Sequence, residues 1–88
     1  MIIKLCFAKS FDKAYARHPQ KIKDKFKERK NLFIESPFHP LLENHPLHGK
    51  YEGYRSINVT GDYRALFRMI APDVAYFVYI DTHPKLYQ

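Results

Sequence analysis

The sequence predicts a small α+β domain: an antiparallel sheet in β-α-α-β-β-β order with a two-helix hairpin packed on one face. Three features carry the prediction. An alternating apolar run opens the chain, a helical pattern broken at His18-Pro19 follows it, and three alternating runs separated by turn residues fill the carboxy-terminal half. With 88 residues the chain has room for a single hydrophobic core, so one domain spanning 1–88 is expected.

Met1–Phe7 places Ile3, Leu5 and Phe7 on one side and Ile2, Lys4 and Cys6 on the other, the pattern of a strand with a buried face. Ser10 is placed to cap a short helix whose apolar face is Phe11, Ala14 and Tyr15, and His18-Pro19 ends it. Pro19 then opens a second helix reaching about Ser36, with Ile22, Phe26 and Phe33 along one stripe. Pro37 stops that helix. Residues 37–53 hold three prolines, two glycines and three histidines, which predicts an ordered, irregular connection. Strands are then expected at Tyr54–Thr60, Tyr63–Ile70 and Val74–Asp81, joined by turns at Gly61-Asp62 and Ala71-Pro72-Asp73. They should form an antiparallel meander, with the helices on one face and the other face partly open.

A single cysteine, Cys6, rules out an intramolecular disulfide and fits a reducing cytoplasm; its apolar setting predicts a core residue, not a nucleophile. No apolar stretch approaches the roughly 20 residues that cross a bilayer, so no membrane role is expected. The charge is uneven. Residues 1–35 carry ten Lys/Arg against four acids, which accounts for the net charge of +6, whereas residues 36–88 carry five of each. A basic half of this kind suits a polyanion or an acidic protein partner, and it also describes an ordinary solvated helix face. His39, His45 and His48 lack Cys or Glu at ligand spacing, so neither a metal nor another cofactor is expected.

Period-2 alternation predicts which side chains share the open face. Ser56, Asn58 and Thr60 form one polar set, with Ile57 and Val59 opposite. Asp62, Arg64 and Arg68 share a parity with Leu66, while Tyr79 and Asp81 share one that His83 continues. If these sets line one side, Asn58, Asp62, Arg64, Tyr79 and His83 converge there; a merely wet sheet face would produce the same pattern. Arg55 is expected to be structural, anchoring the loop or pairing with an acid.

The segments His45-Pro-Leu-His-Gly49, Gly53-Tyr-Arg55, Gly61-Asp-Tyr-Arg64 with Phe67-Arg68, and Asp81-Thr-His-Pro-Lys-Leu-Tyr87 together resemble the carboxy-terminal half of YafQ-like members of the RelE/ParE toxin superfamily. The amino-terminal strand and helical hairpin agree in order and length, so the resemblance spans nearly the whole chain. It implies the toxin of a type II toxin–antitoxin pair: a cytoplasmic endoribonuclease that cuts messenger RNA in the ribosome with the RNA's own 2′-hydroxyl as nucleophile and no metal. The implied partners are a cognate acidic antitoxin, the ribosome and mRNA.

By the same resemblance His45, Asp62, Arg64, His83 and Tyr87 are the catalytic set, with His83 as the carboxy-terminal histidine, Tyr87 as the stacking aromatic and Arg64 on the phosphate. Lys21, Lys23, Lys25, Lys27, Lys50 and Arg68 are the candidate RNA contacts. Such residue types suit the reaction, because transesterification without a metal needs a base, an acid and a cation, and histidine exchanges protons near neutrality. Two positions depart from the pattern. Asn58 stands where YafQ-like proteins have a second histidine, and Tyr79 where they have an arginine, so the resemblance also admits a slow enzyme or a binder without catalysis. A ParE-like toxin shares the fold and acts on DNA gyrase; the His45, His83 and Tyr87 set argues against that alternative.

Overall fold

The computed structural model describes residues 2–82; Met1 and residues 83–88, among them His83 and Tyr87, lie outside this range. The elements are β1 (Lys4–Phe7), α1 (Lys9–Ala16), α2 (Gln20–Glu35), β2 (His45–Pro46), β3 (Arg55–Asn58), β4 (Tyr63–Ala71) and β5 (Val74–Thr82), with single 3₁₀ turns at Pro40–Leu42 and Gly49–Tyr51. The five strands lie in the order β1-β5-β4-β3-β2. Strands β3, β4 and β5 form the expected antiparallel meander. The irregular connection contributes one strand that its composition did not predict, since His45 and Pro46 pair with Ser56 and Arg55 at the edge of β3. Proline lacks an N–H and is tolerated there because an edge strand needs ladder donors on one side only.

At the opposite edge β1 joins β5 in parallel, and only along Val74–Phe77. Beyond Phe7 the outer side of β5 would be bare, and α1 takes over that edge. The Ala8 N–H donates to the Phe77 carbonyl at 2.9 Å, the Ser10 hydroxyl to the Val78 carbonyl at 2.6 Å, and His18 Nε2 lies 2.9 Å from the Ile80 carbonyl. Ser10 therefore does not cap the helix; Ala8 occupies the cap position and the hydroxyl serves the sheet edge. Edge carbonyls left without a partner are costly, which is the reason for the exchange. Ser10→Ala is expected to cost about 0.5–1.5 kcal/mol, seen as a lower midpoint in thermal or urea unfolding.

The core lies between the helices and one face of the sheet. It combines Phe11, Ala14, Ile22, Phe26 and Phe33 from the helices with Ile57, Ala65, Phe67, Ala75, Phe77 and Ile80 from the strands. Phe77 sits among the rings of Phe33, Phe67 and Phe26 at centroid distances of 5.6, 5.1 and 5.8 Å. A chain this short must bury large area per residue, and each fully buried aromatic contributes roughly 1.5–3 kcal/mol. Cys6 is exposed, contrary to its expected place in the core. Ile3 is buried and Leu5 packs on the core, so alternation turns the thiol toward the uncovered side of β1.

A bulge in β5 shapes the other face. Leu66 pairs with Tyr79 and Phe67 with Phe77, so Val78 is the extra residue. Without it Phe77 and Tyr79, two residues apart, would point the same way. With it Phe77 enters the core while Tyr79 and Asp81 turn to the open face.

Candidate nucleic-acid site on the open face of the sheet

Cross-strand register assembles the polar residues into rows. Asn58, Arg64 and Asp81 are neighbours across β3, β4 and β5. The next row is His45, Ser56, Leu66 and Tyr79. His45 comes from the edge strand, and the segment before it sets its position. Leu42 is fully buried and pins the 3₁₀ turn to the core, and Glu43 then adopts φ +46°, the only non-glycine residue with positive φ among the described residues. This left-handed turn aims the Glu43 carbonyl at His45 Nδ1, 2.7 Å away.

A carbonyl can only accept, so Nδ1 carries the proton and Nε2 is left as the basic nitrogen of the neutral ring. His45 Nε2 lies 3.5 Å from the Ser56 hydroxyl, which in turn accepts from Arg64 Nη1 at 3.3 Å. The result is one directed chain from guanidinium to hydroxyl to imidazole to carbonyl. Ser56 is fully buried and cannot itself reach a substrate. The Glu43 carboxylate accepts from Asn58 Nδ2 at 3.0 Å and stands 3.9 Å from Arg64 Nη2. Asp81 is buried, and its carboxylate accepts the Thr82 N–H at 2.7 Å.

Beside the cluster runs an open groove of about 410 Å³ lined by Lys50, Tyr51, Tyr54, Leu66, Val78 and Tyr79. Arg17 reaches its rim from α1 and donates to the Tyr79 hydroxyl at 3.0 Å, so a cation stands at this corner although position 79 is tyrosine. Arg68 extends over the Tyr76 ring at 5.9 Å. Aromatic faces flanked by cations are the elements of single-stranded nucleic-acid grooves.

His45, Arg64, Asn58, Tyr79, Lys50 and Arg68 thus meet on or beside the open face. Asp62 does not join the cluster; it is exposed in the β3–β4 turn, where its N–H and that of Tyr63 donate to Thr60 Oγ1. Lys21, Lys23, Lys25 and Lys27 lie on α2, in the layer covering the other face, and flank its buried stripe on both sides. Lys23 stands 5.8 Å over the Tyr15 ring, and Lys25 pairs with Glu28 at 3.4 Å. Tyr15 has its hydroxyl held above the ordinary tyrosine range by burial first and by the Asp24 charge second, and it donates to the Lys23 carbonyl. Arg55 donates to Asn44 Oδ1 at 2.8 Å and stacks on Phe38, which is the anchoring role expected of it. His39 Nδ1 accepts the Leu41 N–H, and His48 pairs with exposed Glu52. Among the described residues no group of three potential ligands could hold a metal, and no described helix is long and apolar enough to cross a membrane.

Glu43, Ser56 and Arg17 were not singled out from the sequence as site residues. Alternation already put Ser56 on the polar side, whereas nothing in the local pattern announces a left-handed glutamate or an arginine arriving from 62 positions away.

No protein-family model and no curated protein matches the chain. Solved structures do. YafQ from E. coli strain BL21(DE3) superposes with a TM-score of 0.81 at 20% identity, covering 98% of this chain and 99% of that one. The toxin–antitoxin complex RelBE2 from Mycobacterium tuberculosis matches with a TM-score of 0.78 at 18% identity over 94% and 100%. A YoeB/ParE toxin from Agrobacterium tumefaciens matches with a TM-score of 0.74 at 22% identity over 92% and 99%. The protein therefore has the fold of the RelE/YafQ-like toxins, as the sequence resemblance implied.

Proposed function

We propose that the protein is the toxin of a type II toxin–antitoxin pair and cleaves mRNA on the ribosome by metal-free transesterification. The observation that carries this reading is the directed chain through Arg64, Ser56 and His45 on the open face of a YafQ-like fold. It puts a basic imidazole nitrogen and a guanidinium side by side, next to an aromatic groove. In the proposed reaction the ribose 2′-hydroxyl displaces the Ser56 hydroxyl from His45 Nε2, His45 takes its proton and the 2′-oxygen attacks phosphorus. The bond to the 5′-oxygen breaks, that oxygen receives a proton from His83, and a 2′,3′-cyclic phosphate remains. Arg64 balances the charge that builds on the phosphate and Tyr87 stacks on a base. Induction followed by primer extension on a translated message tests the reading. Growth arrest with new 5′ ends is expected; normal growth with intact message rejects it and leaves a binding protein of this fold as the better description.

Lys50 lines the groove and Arg68 lies over Tyr76; both are assigned to RNA, while the α2 lysines, on the far layer, are assigned to an acidic antitoxin. Changing Lys21, Lys23, Lys25 and Lys27 together to Gln is expected to weaken the antitoxin complex by about 0.2–1 kcal/mol per charge, with a shallower salt dependence and an unchanged fold. Titration calorimetry of the copurified pair at two salt concentrations measures it. Equal affinity at both would place the partner elsewhere.

A further inference from the structure

We infer that Glu43 is a positioning residue that acts as an internal counter-anion, holding the phosphate site of Arg64 and Asn58 ready and leaving it when a phosphodiester enters. The inference rests on the reading that Arg64 takes a phosphate, and it adds a residue to which the family resemblance assigns no part.

Four observations support it. Glu43 has a left-handed backbone, which a side chain other than Gly or Asn adopts only where the surroundings compel it. That conformation serves two ends at once: the carbonyl fixes the His45 ring at 2.7 Å, and the carboxylate reaches Asn58 at 3.0 Å and Arg64 at 3.9 Å. The Arg64 side chain is 15% exposed, whereas the Glu43 side chain is 58% exposed and can move into water once a phosphodiester takes over its two contacts. Finally, Asn58 cannot move a proton, but its amide can donate to an anion, and in the free protein the Glu43 carboxylate receives that donor. One amide donor and one guanidinium charge converging on a displaceable carboxylate form an anion site with a resident occupant.

A resident anion competes with the substrate's phosphate. Removing its charge should therefore tighten phosphate binding, the reverse of what loss of an ordinary structural contact would do. The worth of a largely exposed ion pair sets the gain at about 1.5- to 5-fold, shrinking as salt rises.

The test titrates inorganic phosphate into the protein while following the Arg64 Nε–H resonance, and then repeats the measurement with a short 2′-O-methyl RNA that cannot be cut. Glu43→Gln keeps the shape and removes the charge. Glu43→Gly suits the left-handed backbone and guards against a folding failure in the first variant. Tighter phosphate and RNA binding in both variants, converging on the unmodified protein at high salt, is the expected result. Unchanged or weaker phosphate binding in both overturns the inference. Tighter phosphate binding by a protein that cuts no RNA upholds the counter-anion role and rejects the nuclease reading, whereas RNA cleavage with unaltered phosphate affinity does the opposite.

Discussion

His83→Ala is expected to abolish growth arrest and to lower mRNA cleavage by about 10²–10⁴-fold, the usual contribution of a general acid or base, while antitoxin binding and thermal stability stay as they were. His83 lies outside the described residues, and its motivation is the Thr82-His83-Pro84-Lys85-Leu86-Tyr87 ending together with the parity of Tyr79 and Asp81, which the β5 bulge directs to the open face. His83→Gln keeps size and hydrogen bonding and should be equally inactive, because it moves no proton. His45→Ala should lose activity to a similar extent by removing the base. Tyr87→Phe should be milder than Tyr87→Ala, since stacking needs the ring more than the hydroxyl. Primer extension after induction reads all four variants. A fully toxic His83→Ala protein would show that the proton is supplied by another group even if the fold and the target are as proposed.

Much of the architecture was legible because alternation and helical spacing are local signals. Ile57, Ala65 and Phe67 against Ser56, Arg64 and Leu66 separate the two faces of β3 and β4 directly, and the α2 stripe of Ile22, Phe26 and Phe33 is buried as read. What was not legible depends on distant partners. The parallel pairing of β1 with only half of β5 decides that Ser10 serves a carbonyl 68 positions away instead of its own helix. Strand β2 exists because the edge of β3 is free to receive two residues, one of them a proline that no strand pattern favours.

The site divides in the same way. Arg64 and Asn58 could be named from residue type and parity and His45 from the family resemblance, and register brings them together. The parts that fix their geometry are Leu42 in the core, the left-handed Glu43 and the buried Ser56 hydroxyl, and these act through contacts that sequence spacing does not encode. Arg17 shows the same limit: the resemblance puts an arginine where this chain has Tyr79, and the cation at that tyrosine arrives instead from the end of α1.

Arg64 should be the most sensitive described residue after the proton carriers. Arg64→Gln is expected to lower the cleavage rate by about 10²–10³-fold, the cost of removing one charged or hydrogen-bonding group from a site where negative charge develops. Two separate losses combine. The guanidinium no longer faces the phosphate, and the Ser56 hydroxyl loses the donor at 3.3 Å that turns its own proton toward His45. Arg64→Lys restores the charge without the planar fork, so it should recover part of the phosphate term and little of the contact to Ser56. The two contributions can be separated under single-turnover conditions. If Arg64 acts on the transition state, the rate falls with substrate affinity nearly intact. If it serves only to bind RNA, affinity falls and the rate at saturation is preserved. A stable, folded Arg64→Gln protein that still cleaved at the original rate would remove Arg64 from the reaction and leave it as a structural tie between β3, β4 and the Glu43 turn.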